Sequence, residues 1–116
     1  DATPSTQCES GIAVIGVHDT FLENLCGCNE TAGTKALPPD TLTCTVNSGT
    51  RVIFQYLSVA VPHQIVSSDS QFNPSPLNDP RDDVVIPSHG VVFNTAGSFP
   101  FNDQIMPQLQ GQIDVL

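Results

Sequence analysis

Apolar residues along the chain come in short runs with a period of two, and helical spacing is almost absent. The run 12-IAVIGV-17 is β-branched and bounded by Gly11 and His18-Asp19, which predicts a buried strand. In 41-TLTCTV-46, Leu42, Cys44 and Val46 share one face and threonines the other, a half-buried strand. Asn47-Ser48-Gly49 is a turn. It leads into 51-RVIFQYL-57, with Val52, Phe54 and Tyr56 on one face. Further short strands are predicted at 63–66, 84-VVI-86, 91-VVFN-94, 98-SFPF-101 and 111-GQIDVL-116. One helical turn is expected over 19-DTFLENL-25. Residues 26–40 are rich in turn formers, and Pro38-Pro39 excludes regular structure there. Short strands at intervals of about ten residues predict an antiparallel β-sandwich or barrel.

A length of 116 residues suits a single domain spanning 1–116, with one core. No apolar run reaches the ~18–20 residues of a membrane span. The start, DATPSTQ, has neither a basic nor an apolar leader region, so the expectation is a mature end left after cleavage. Lys35, Arg51 and Arg81 face twelve acidic residues, for a net charge of −9. That balance argues against nucleic acid and against anionic membranes, favours a monomer through repulsion between copies, and suits a cationic partner.

The four cysteines, Cys8, Cys26, Cys28 and Cys44, all precede residue 45. An even count in a chain rich in Ser, Thr, Asn and Pro points to an oxidising compartment: secreted, extracellular or periplasmic. A Cys26–Cys28 bridge is strained. Two pairings remain open: Cys8–Cys26 with Cys28–Cys44, or Cys8–Cys28 with Cys26–Cys44. A zinc site would want two spaced pairs, and here Cys8 and Cys44 stand alone. Asn29-Glu30-Thr31 is a glycosylation sequon, relevant in a eukaryotic secretory pathway.

Two segments resemble the cupredoxins, the plastocyanin and azurin superfamily. The first is 45-TVNSGTRVIFQYLSVAVPHQIVS-67, where the Pro-His-x-Val of the family, carrying its first copper ligand, falls on His63. The second is 93-FNTAGSFPFNDQIMPQLQGQIDV-115. It is similar to the family ending Phe-x-x-Ala-Gly-x-Tyr-x-Phe-x-Cys-x-x-His-Pro-x-Met-x-Gly-x-Ile-x-Val. On that alignment the cysteine position is Asp103, the second histidine position Met106, and the axial methionine position Leu109. The resemblance implies a Greek-key β-sandwich of seven or eight strands, with a disulfide-bearing N-terminal segment.

A blue-copper centre takes two imidazoles, a thiolate and a weak axial thioether. No cysteine follows Cys44, so the usual loop cannot supply the thiolate. The expectation is a domain without a type 1 site, acting as a binding or structural module with no cofactor. The alternative is a copper carrier or low-potential redox protein that holds copper weakly through His63, Asp103 and Met106. Against it, a lone His at a strand end is commonly a hydrogen-bonded structural residue, a loop Met is commonly packing, and an Asp opening a loop caps turns.

His18 and His89 lie beside turns and read as solvated. Asp69, Asp79, Asp82 and Asp83 lack EF-hand spacing and read as a solvated loop. Gly-x-Ser-x-Gly, His-Glu-x-x-His and Gly-rich phosphate loops are missing, so no enzyme activity is expected. A chain opening on Asp1 is also not expected to hold copper through an N-terminal histidine. A protein or surface partner would meet the 67–83 and 102–110 loops, where Phe72, Leu77, Ile105 and Leu109 offer apolar contacts.

Overall fold

A computed structural model describes residues 8–29, 41–80 and 88–116. The strand expected at 84–86, the Pro38-Pro39 break, Asp82 and Asp83 lie outside the described residues. The described residues form eight strands: β1 (Ile12–Val17), β2 (Leu22–Cys26), β3 (Thr41–Val46), β4 (Thr50–Tyr56), β5 (Ile65–Ser67), β6 (Ser88–Phe93), β7 (Gly97–Asp103) and β8 (Gln110–Val115). They form two four-stranded sheets, ordered β2-β1-β4-β6 and β3-β8-β7-β5. The architecture is the all-β sandwich expected, with two parallel pairs, β1 with β4 and β3 with β8, among otherwise antiparallel neighbours. No helix of the described residues is long and apolar enough to cross a membrane.

The period-two faces meet between the sheets. Ala13, Ile15 and Val17 of β1 and Val52, Phe54 and Tyr56 of β4 face inward. Opposite them lie Leu42, Cys44 and Val46 of β3, Phe101 of β7, and Ile113 and Val115 of β8. Phe54 meets Phe101 edge to face across the interior, centroids 5.0 Å apart. Gly111 makes room within its own sheet: a Cβ on it would lie 2.4 Å from the carbonyl oxygen of its β3 partner Leu42 and 2.5 Å from the ring of its β7 partner Phe101.

The disulfides are Cys8–Cys26 and Cys28–Cys44. The second joins the stretch after β2 to β3, beside a short bridge between Asn29 and Thr45, and so stitches one sheet to the other. Gly27 stands between the two bridges at φ +87°, and a Cβ there would strike the Ile12 carbonyl oxygen at 2.4 Å.

Three local expectations give way to tertiary pairing. Residues 19–25 are no helical turn. Asp19 and Thr20 form a two-residue hairpin connection, closed by the bond from the His18 amide to the Phe21 carbonyl at 2.9 Å, and β2 pairs along β1 from Leu22. His63 lies outside β5 and makes an isolated bridge with Asn78. His89 sits within β6, opposite Phe54. In each case backbone pairing decides: with the preceding strand β1 for residues 22–26, with the single residue Asn78 for His63, and with the distant strand β4 for His89, and local propensity does not register it.

Candidate functional site

Strand register gathers several loops at one end of the sandwich. Val17 pairs with Tyr56, Ile65 with Asp103, and Asn102 with Gln110. The 18–21 turn, the 57–64 segment and the 104–109 loop therefore share that end. His63 joins them to a fourth segment, exchanging amide–carbonyl bonds of 2.9 Å each way with Asn78.

His63 and Asp103 are both fully buried. Nδ1 of His63 is hydrogen-bonded to Oδ2 of Asp103, so the ring donates from Nδ1 to the carboxylate. The other oxygen, Oδ1, accepts three backbone amides: Gln64 at 3.2 Å, Ile105 at 2.9 Å and Met106 at 3.2 Å. The Asp103 amide in turn donates to the Leu109 carbonyl at 2.9 Å. One carboxylate thus holds the segment around His63 against the loop 104–109. His63 Nε2 is buried and meets no hydrogen-bond partner among the described residues.

Two neighbours complete the polar end. Tyr56 donates its hydroxyl to Ser75 Oγ at 2.7 Å and accepts the Ile65 amide at 3.0 Å. Burial raises the Tyr56 pKa above 10.0; the Ser75 and Ile65 bonds oppose this, and the Asp103 charge adds to it. On the outer side, Asp19 Oδ1 accepts the amides of Val59 (3.0 Å), Ala60 (3.2 Å) and Val61 (3.1 Å). The Ala60 bond does most to hold the Asp19 carboxyl below its ordinary 3.8, with the Val61 and Val59 bonds assisting.

The structure thus brings two candidate ligands, His63 and Asp103, into direct contact, with the Met106 backbone on the same carboxylate. The Met106 side chain is half-buried against the core. Leu109 is fully buried in the interior, and Phe72 is half-buried, packed edge to face on Phe93 at the core's margin. Leu77 and Ile105 are exposed. His18 stacks on Phe21 and bonds Glu23 at 2.7 Å, while His89 Nε2 lies 3.3 Å from the Asn73 carbonyl. Asp69 bonds Ser67 and Gln71 within its own turn. Among the described residues no group of three or more His, Cys, Asp or Glu side chains converges as a metal cage.

No protein-family model matches the chain, and no curated protein does. Solved structures do. A purple cupredoxin from Nitrosopumilus maritimus superposes with a TM-score of 0.59 at 19% identity, covering 90% of this chain and 99% of that one. The fold is that of the cupredoxins. A Cu(I) amicyanin with a methionine-to-alanine substitution gives 0.61 at 15% identity, over 94% of this chain and 86% of its own. Amicyanin from Paracoccus versutus gives 0.57 at 15% identity, over 94% and 85%.

Within this cupredoxin fold the donor set does not fit a blue-copper ion. All four cysteines are spent in disulfides, leaving no thiolate anywhere in the chain. The His63 nitrogen facing Asp103 is already bonded, and neither of the other two histidines bonds to this pair. Sequence reasoning found His63 and Asp103 through the family pattern. It missed Asp19 as a loop clamp and Tyr56–Ser75 as a buried pair. The acceptor and donors of the Asp19 clamp lie about 40 residues apart, and no local motif encodes that contact.

Proposed function

We propose that this chain is a cupredoxin-fold binding or structural module of an oxidising compartment, secreted to the extracellular space or the periplasm, with no electron-transfer or enzymatic role. The observation that carries this reading is the direct bond between His63 and Asp103, whose other oxygen is taken by three backbone amides. Where a blue-copper protein puts a thiolate, this chain puts a carboxylate already employed in holding loops together. A carboxylate supplies neither the covalency nor the electronic path of a copper–sulfur bond. The two disulfides support the compartment. Exposed Leu77 and Ile105 support docking at the loop end.

One observation favours the second reading, a non-blue copper site at His63, Asp103 and Met106: the buried Nε2 of His63 has no partner among the described residues. One equivalent of Cu(II) added to the purified protein separates the two. The module reading expects no intense thiolate-to-copper absorption, an EPR spectrum of loosely held copper, and an unchanged melting temperature, with His63→Ala taking up copper no differently. Tight binding that raises the melting temperature and is abolished in His63→Ala overturns it in favour of the copper carrier.

A further inference from the structure

The two outer faces of the sandwich differ in kind. On the sheet β3-β8-β7-β5, Thr43, Thr45, Ser98, Asn102, Gln112 and Asp114 point outward, and Asp114 accepts bonds from Ser98 at 2.9 Å and Gln112 at 2.7 Å. A sheet face in water is expected to read this way. On the sheet β2-β1-β4-β6, the outward positions include Ile12, Val14, Leu25, Ile53, Leu57 and Val92, because their strand neighbours Ala13, Ile15, Val52, Phe54 and Phe93 fill the core. We infer that two copies of the chain pair through this aliphatic face about a twofold axis, with Arg51 of each copy meeting Glu23 of the other.

The face is continuous because two glycines leave room on it. At Gly16 a Cβ would lie 3.0 Å from Leu57 and 3.2 Å from Leu25, so both leucines lie across β1 there. At Gly90 a Cβ would lie 3.2 Å from Nε of Arg51, so the arginine leans along the sheet toward β6. Val92, 49% exposed, pairs with Arg51 on that side.

Charge selects the occupant. A net charge of −9 spread evenly would keep copies apart, but it is not spread evenly. Asp19 and Asp103 belong to the loop end, Asp69 to its own turn and Asp114 to the polar sheet. Among the outward strand positions of the aliphatic face, Glu23 is the sole acid, and Arg51 is the sole Lys or Arg of the described residues. The two stand toward opposite edges. Glu23 lies on β2, paired with Gly16, and Arg51 leans over Gly90 of β6, with Val14 and Ile53 paired between them. A twofold axis in the interface carries each edge onto the other, so one contact implies its reciprocal. Two ion pairs then flank an aliphatic centre that packs on itself. An anionic lipid surface meets one cation on a strongly acidic chain, and a cationic partner meets Arg51. Four strands about 4.8 Å apart present less than the roughly 800 Å² per partner of a standard interface, so the dimer is weak and reversible.

Sedimentation equilibrium of the full chain, from micromolar to millimolar concentration, tests this together with methyl NMR shifts. The expected result is a monomer–dimer equilibrium in which the methyls of Ile12, Val14, Ile53 and Val92 shift with concentration. Arg51→Glu and Glu23→Arg, with unchanged melting temperatures, should each weaken it at least about tenfold, since like charges then face each other twice. An equimolar mixture of the two variants should form a heterodimer about as tight as the wild-type dimer, because both reciprocal contacts regain opposite signs. Overall repulsion alone predicts the reverse for Glu23→Arg, which brings the net charge closer to zero and would tighten association. Ile53→Thr, which keeps a β-branched side chain, should weaken the dimer severalfold.

A chain that stays monomeric at millimolar concentration overturns the inference. So does a dimer indifferent to both charge reversals, a mixture that fails to recover, or a dimer whose shifting methyls lie elsewhere. Capture by anionic vesicles through Val92 and Arg51 overturns it in favour of a lipid surface. The outcome is independent of the copper titration, since His63 and Asp103 belong neither to the aliphatic face nor to its two charges.

Discussion

The interior between the sheets and the loop end above it are built on opposite principles. The interior is held by apolar area: Phe54, Phe101, Ile15 and Ile113 fill it, and none depends on a single directional bond. The loop end has a buried cluster too, yet that cluster is held by oxygens. His63, Asp103, Ser75 and Asn78 are buried there, and each is placed by specific hydrogen bonds. An apolar core tolerates exchange of one hydrocarbon for another, because the driving force is non-directional. A polar cluster does not, because removing one partner strands the others without water.

The sharpest way to break that contrast is a pair of substitutions followed by thermal or denaturant unfolding. Asp103→Ala strips His63 of its partner and leaves three backbone amides without an acceptor, and should destabilise by about 3–5 kcal/mol. Phe101→Leu, equally buried but apolar, should cost about 1.5 kcal/mol or less. Replacing both His63 and Asp103 by leucine should not restore stability, because the amides of Gln64, Ile105 and Met106 still lose their acceptor. Recovery in the double variant, or equal costs for the two single ones, would erase the distinction between the regions.

Next in size is the covalent tie at the core's edge. Cys28→Ser with Cys44→Ser opens a bridge spanning 16 residues. By the chain-entropy estimate for a loop of that length it should lower stability by about 3 kcal/mol. The loss should leave the amide shifts of 57–63 and 104–109 unchanged, since neither segment touches that bridge.

A smaller effect sharpens the boundary between the regions. Tyr56 belongs to both, its ring in the core and its hydroxyl on Ser75 and the Ile65 amide. Tyr56→Phe keeps the ring and should cost about 1–2 kcal/mol, the penalty of an orphaned buried amide. Its raised folded pKa means that the unfolded chain ionises first. The stability it confers is complete below pH 10.0 and is lost as the pH climbs from there toward the folded value. The wild-type unfolding midpoint should fall over that alkaline range by more than that of Tyr56→Phe.

The smallest effect is at Asp19. Its depressed folded pKa means that the unfolded chain takes up the proton first as the solution is acidified. The contribution of the carboxylate is present above pH 3.8 and fades as the pH drops below it. Amide exchange at 59–61 should accelerate in that acidic window, with the core strands still protected, and Asp19→Asn should show the faster exchange already at neutral pH. Exchange that quickens equally in β4 would mean the clamp is not local.

Much of this was legible in the chain. The inward faces of β3 and β4 are those that period-two alternation marks, because a strand with one face on a core must alternate, and β1 was legible as a buried strand from its continuous apolar run. The Cys-to-Asp replacement at 103 was readable too, since it falls inside an otherwise well-matched ending. The hairpin at 18–21 was not. Asp-Thr-Phe-Leu-Glu suits a helical turn as well as a strand, and the choice fell to β1, which offers β2 a ladder. Nor did the sequence separate Leu77 and Ile105, which face solvent, from Leu109, which is buried, and Phe72, which is half-buried against the core.

From composition and order alone came the all-β architecture and the lack of any cysteine beyond residue 44, because these depend on what residues are present and how they alternate. The choice between two cysteine pairings and the union of His63 with Asp103 were decided only when the chain closed, and so was the hold of Asp19 on 59–61. Each is a contact between segments brought together by strand register, and a bond formed at about 3 Å between distant residues leaves no trace in local periodicity.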